Sequence, residues 1–153
     1  MAGDRPALED LPRVPSGARV LRLVHWKHWD ADADPGARLQ RGAMTEEACT
    51  TKGYGASFWL HRDEVSPDGI EVSQLDAADP RFERYGVLRI HVDKAAARGV
   101  YFAHTEADGR RYPAIAAAHV TLGWPKGFDG DLRDELLDLF EADVIREPTP
   151  PDP

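Results

Sequence analysis

Apolar and polar residues alternate over short stretches along most of this chain, and the alternation predicts more strand than helix. Residues 86–93, GVLRIHVD, place Leu88, Ile90 and Val92 on one face and Arg89, His91 and Asp93 on the other. One face then belongs to a core and the other to solvent or to a function. Residues 18–26, ARVLRLVHW, set Leu21 and Leu23 against Val20, Val24 and Trp26, so both faces are apolar and a central strand is predicted. Residues 56–61 and 70–75 are shorter strand candidates separated by SPDG, a turn sequence, and are expected to pair as a hairpin. A second hairpin is expected from 100–105 and 114–124, with Asp108 and Gly109 supplying the positive φ angles of a tight turn. In its second strand Val120, Leu122 and Trp124 are expected to point inward, and His119, Thr121 and Gly123 outward.

Helical spacing is clear at one place. Residues 129–144 carry Leu132, Leu136, Leu137 and Phe140 on one side, with acidic residues in the first turn where the helix dipole favours them. Shorter helical turns are predicted at 45–51, capped by Thr45, and at 79–85, capped by Asp79 with Pro80 in the first helical position. A further turn at 93–99 starts at Asp93 and stops at Gly99. The sum is an α+β class: a single domain with a mostly antiparallel sheet, short helical turns and one C-terminal helix packed on it. The ends are rich in proline and charge, so residues 1–17 are expected to be a flexible N-terminal tail and residues 146–153 a proline-rich C-terminal tail, leaving 18–145 as the folded unit. There is no internal repeat.

Composition narrows the partners. With 153 residues, 42% of them hydrophobic, the chain can bury a core without cross-links, and its one cysteine, Cys49, has no partner for an intramolecular bridge. No apolar run approaches the length of a membrane span, and no charged start followed by an apolar stretch marks a secretory leader, so a cytoplasmic setting is expected. Arginine outnumbers lysine, and alanine, aspartate and glycine are abundant, which suggests a bacterial source. The formal charge is −8, from 27 acidic and 19 basic side chains, and the basic ones are scattered. Such a field repels nucleic acid and anionic lipid, so neither is an expected partner.

Several motifs fail on spacing. Asp30, Asp32 and Asp34 match the first half of a calcium loop, but Pro35 stands where the glycine is needed and Arg41 where the bidentate glutamate is needed. His25 and His28, with Asp30 and Cys49, offer one ligand pair where a structural zinc site takes two. In KGYGAS, residues 52–57, the lysine precedes the glycines and a strand follows, which is neither a Walker loop nor a dinucleotide fingerprint. No metal and no cofactor is therefore expected.

The remaining chemistry centres on AAHVTLGWP, residues 117–125. His119 and Thr121 share one strand face roughly 7 Å apart, the spacing at which an imidazole and a hydroxyl can grip a phosphate. Two-histidine phosphoesterases pair two such HxT or HxS motifs, one histidine taking a proton and the other giving one. Here the second motif is missing, because His104 is followed directly by Thr105 and His91 has Asp93 two residues on. If strands 86–93 and 114–124 were neighbours, Arg89, His91, His119 and Thr121 would share a face able to bind an anion. Two functions follow as expectations. The first is an accessory or immunity-type protein without catalytic residues, binding another protein through Trp26, Trp29 and Trp59. The alternative is a small phosphodiester or nucleotide hydrolase or transferase working from the histidine-bearing face.

Overall fold

A computed structural model describes residues 6–50 and 54–151. The alternating segments form strands β1 (Arg19–Val24), β2 (Ser57–Leu60), β3 (Gly86–His91), β4 (Tyr101–His104), β5 (His119–Gly123) and β6 (Val144–Arg146). They make one antiparallel sheet in the order β4-β5-β2-β1-β3-β6. The helices are α1 (Glu46–Thr50), α2 (Val72–Ala78), α3 (Val92–Ala96) and α4 (Gly130–Glu141). The chain is a single α+β domain with a C-terminal helix against the sheet.

β1 is central, as its two apolar faces predict. It pairs with β3 along its whole length, from Arg19↔His91 to Val24↔Gly86, but with β2 only at Val20↔Leu60 and Leu21↔Trp59. Beyond Leu21 the strands β1 and β2 part, and that gap becomes the site described below.

Paired residues of an antiparallel sheet share a face, which sorts the core into two layers. On one side Phe58, Val120, Leu122 and Phe102 meet α4, where Phe58 packs edge-on against Phe140 with ring centroids 5.6 Å apart. The helix is started by the Asp129 carboxylate, which accepts hydrogen bonds from the N–H groups of Asp131 and Leu132, and it buries Leu136, Leu137 and Phe140. On the other side Leu21, Trp59, His119 and Thr121 are covered by the connection 105–118 and by a 3-10 turn, Pro80–Arg84. This second layer corrects the expectation for β5. All five of its residues are buried, because the connection after β4 folds back over the face that was expected to be wet.

Three local expectations change for physical reasons. Residues 70–75 do not form a strand. Ile70 makes a single parallel bridge with His61, and α2 then starts behind a capping box in which the Gln74 side chain accepts from the Glu71 N–H at 2.8 Å. The SPDG turn does close, with the Gly69 N–H on the Ser66 carbonyl at 3.1 Å. Strands β4 and β5 pair as expected, but Gly109 has no positive φ and sits at the end of a 3-10 turn, Glu106–Gly109. It is needed for close approach, since a Cβ there would lie 2.6 Å from the Cβ of His119. The turn expected at 93–99 begins one residue earlier, at Val92, which frees the Asp93 carboxylate to accept from the Ser16 hydroxyl and the Gly17 N–H.

That contact is part of a docked N-terminal segment. The Val14 N–H donates to the Phe102 carbonyl and the His104 N–H to the Pro12 carbonyl, both at 2.9 Å, and Val14 is buried. The boundary at residue 17 thus falls inside structured chain, and the one at 145 falls inside β6; residues 1–5, 152 and 153 of the expected tails lie outside the described residues. Deleting residues 1–17 is expected to lower the thermal midpoint by about 5–10 °C, since burying one valine contributes about 1.5–3 kcal/mol and each kcal/mol moves a domain of this size by about 2–4 °C. An unchanged midpoint in a thermal melt would show that the segment contributes nothing. Among the described residues no helix is long and apolar enough to cross a membrane.

Candidate functional site

The register of β2 against β5 builds the site. Ser57 pairs with Thr121 and Trp59 with His119, so His119 lies diagonally across from Ser57 on the same face. A diagonal pair is about 7–8 Å apart at the backbone, within reach of an imidazole. His119 Nε2 lies 2.9 Å from Ser57 Oγ. Its Nδ1 lies 3.0 Å from the Thr105 carbonyl oxygen and 2.8 Å from Thr105 Oγ1, which in turn is 2.7 Å from Thr121 Oγ1.

A carbonyl oxygen only accepts, so Nδ1 carries the ring proton and donates to Thr105, leaving Nε2 to accept from the Ser57 hydroxyl. The ring is 1% exposed, locked by Thr105 on one side and by Trp59 edge-on at 4.9 Å on the other. Burial lowers the pKa of His119 below the ordinary histidine value, against smaller raising effects of the Thr105 carbonyl and the Asp108 charge. The imidazole is therefore neutral at pH 7. Ser57 itself is exposed. An accessible hydroxyl on a buried, oriented, neutral imidazole is the arrangement that activates a serine nucleophile.

Both groups open into a pocket of about 250 Å³, lined among others by Arg22, Leu23, Trp59, Phe82, Arg111 and Tyr112. It occupies the gap where β1 and β2 part. The Arg22 guanidinium bridges that gap, donating to the carbonyls of Ser57 and Ala43, each at 2.6 Å. Desolvation lowers its pKa, yet a guanidinium keeps its proton in proteins. Among the described residues, the hydrogen-bond partners of this cation in the pocket wall are thus neutral carbonyls alone. Tyr112 is held from its hydroxyl, which donates to Asp79 Oδ2 at 3.2 Å. The Arg81 guanidinium fixes Asp79 in turn and, with the Arg81 N–H, holds its carboxyl far below the usual carboxylate range. Asp108, also in the wall, accepts from the Tyr54 N–H at 2.7 Å.

The structure brings together only part of the predicted constellation. Arg89, Leu21, Trp59 and His119 form one row across the sheet, so Arg89 shares the face of His119 but stands three strands away, about 14 Å at the usual strand spacing. Arg89 is bound to Asp143 at 2.7 Å, and His91 Nε2 lies 3.8 Å from the same carboxylate. Neither reaches Thr121, whose own hydroxyl is buried on Thr105. The three tryptophans form no common exposed patch. Trp59 is buried, Trp26 is half-buried against His25 and Tyr85, and Trp29 is half-buried with its Nε1–H on Glu147.

Ser57, Arg22 and Thr105 were not legible as site residues, because their roles depend on strand order. In the acidic loop the Asp32 N–H binds the Asp30 carboxylate, and among the described residues no group of three or more histidine, cysteine or acidic side chains is placed to hold a metal. Of KGYGAS, Lys52 and Gly53 lie outside the described residues, and Gly55, at φ +136°, leads into β2.

No protein-family model, no curated protein and no solved structure matches the chain.

Proposed function

We propose that this protein is a small hydrolase or transferase of phosphodiesters or nucleotides, with Ser57 as nucleophile and His119 as general base and acid. The observation that carries the reading is the 2.9 Å contact between Ser57 Oγ and His119 Nε2 at the wall of an arginine-bearing pocket. In the first step Ser57 Oγ bonds to phosphorus while its proton passes to Nε2. The bond to the leaving oxygen, in line opposite Ser57 Oγ, breaks, and that oxygen takes a proton from solvent while Nε2 keeps its own. Water, or an acceptor alcohol, then attacks the phosphoserine from the side opposite Ser57 and gives its proton to solvent, and Nε2 returns the serine proton to the departing Oγ. Arg22 and Arg111 supply positive charge beside the reacting group.

The alternative, binding of a protein partner through surface tryptophans, calls for an exposed apolar patch. Among the described residues the large exposed apolar side chains are Val65 and Ile145; Ile145 shares a shallow pocket with half-buried Trp29, but Trp26 and Trp59 do not line it, so the three rings make no single patch. The test is turnover of a panel of linear and cyclic phosphodiesters, together with labelling by a fluorophosphonate. Wild type is expected to turn over at least one diester and to gain the label on Ser57, and Ser57→Ala to lose both, with turnover down at least about a hundredfold. A wild-type protein that neither turns over the panel nor takes the label would overturn the reading.

A further inference from the structure

The pocket lining combines charged and apolar side chains. Two guanidinium groups belong to it, neither ion-paired among the described residues. Arg22 spends two of its five donors on the carbonyls of Ser57 and Ala43, and its buried Nε has no partner. Arg111 is exposed and, among the described residues, makes no ion pair; its guanidinium carbon lies 5.7 Å from the centre of the Tyr112 ring. Asp108 lines the same pocket and accepts from the Tyr54 N–H, so two guanidinium charges stand against one carboxylate, a net positive lining that suits an anionic group.

The apolar part of the lining is Leu23, Phe82, Tyr112 and Trp59. Tyr112 packs edge-on to Phe82 at 5.3 Å and to Trp59 at 6.2 Å, and its hydroxyl is anchored on Asp79, so this wall is rigid. Ser57 and His119 line the same pocket. The volume, about 250 Å³, lies below the roughly 300–1,000 Å³ of pockets that enclose drug-sized ligands, so the part of a ligand it takes in is about one ring and one anionic group.

We propose that the substrate carries a single flat ring beside its anionic ester, the ring seated against Tyr112, Phe82 and Leu23 and the charge between Arg22 and Arg111. This rests on Ser57 and His119 being the reacting pair, but it is tested by binding. The probes are phenylphosphonate, methylphosphonate and uridine 5′-monophosphate, titrated calorimetrically into wild type, Ser57→Ala, Arg111→Gln, Tyr112→Phe and Tyr112→Ala.

Wild type and Ser57→Ala are expected to bind phenylphosphonate at least tenfold more tightly than methylphosphonate. Tyr112→Phe, which keeps the ring, is expected to retain that preference, and Tyr112→Ala to lose it. Arg111→Gln is expected to weaken both phosphonates alike. Whether uridine monophosphate binds more or less tightly than phenylphosphonate then distinguishes a nucleobase from a simple aryl group. The wild-type ratio decides by itself, so a Tyr112→Ala chain that fails to fold leaves the test intact. Equal affinity for the two phosphonates overturns the ring seat while leaving the serine–histidine reading standing. Failure of wild type to bind either phosphonate while diester turnover persists overturns the anion seat.

Discussion

Turnover by a His119→Gln variant is expected to fall at least about a hundredfold, because glutamine keeps the polarity of the site but accepts no proton from Ser57. The double variant with Ser57→Ala should be no slower than the slower single one, as for groups that act as a unit. The pH profile sharpens this. Burial holds the His119 pKa below its ordinary value, so Nε2 stays unprotonated below about pH 6.5, where a free histidine is half charged. The acid limb of kcat/KM, measured from about pH 5 to 8, should lie under pH 6.5; a limb at or above it would contradict a buried base.

Stability follows the same sign. Burial is the main cause that lowers His25, His28, His61, His104 and His119. The unfolded chain therefore binds more protons than the folded one in the window between the depressed values and the ordinary one. Stability is fully present above about pH 6.5 and is lost as pH falls from there toward the folded values.

Phe140→Ala is expected to cost about 3–5 kcal/mol, the usual range for emptying a buried aromatic site, and to lower the thermal midpoint by roughly 10 °C or more. Phe140 is fully buried, and its ring meets Phe58 edge-on at 5.6 Å, at the seam between α4 and the sheet. Leu132→Ala, at a half-buried position on the same helix, should cost less than half as much. Urea unfolding of the two variants beside wild type measures both, and a loss under about 1 kcal/mol for Phe140→Ala would mean that α4 is not holding the sheet.

What was legible in the chain was local. The alternation of residues 86–93, the apolar run at 18–26 and the capped amphipathic stretch after Asp129 each carry their own period, and each became the expected element. The α2 segment misled because IEVSQL alternates over a few residues, while its helix start is marked by Glu71 rather than by the serine or threonine usual in a capping box. The site was half legible. His119 stood out by itself, but Ser57 is 62 residues away and meets it only because β2 is inserted between β1 and β5. The useful signal was parity: Ser57 and Trp59 share a face, and placing that strand beside AAHVTLGWP puts the hydroxyl diagonal to the histidine. Arg89 and His91 were a false lead for the same reason, since alternation assigns a face but not a neighbour.

The stretch Pro12–Val14 has one further consequence. β4 ends the sheet, and a terminal strand is a row of open backbone groups that invites pairing with another chain. Here the Val14 N–H and the Pro12 carbonyl take up two of those groups, while the opposite margin is the three-residue β6, Val144–Arg146, too short to recruit a partner strand easily. A protease that cut between Gly17 and Ala18 would do more than loosen the domain. It would uncover a template for aggregation.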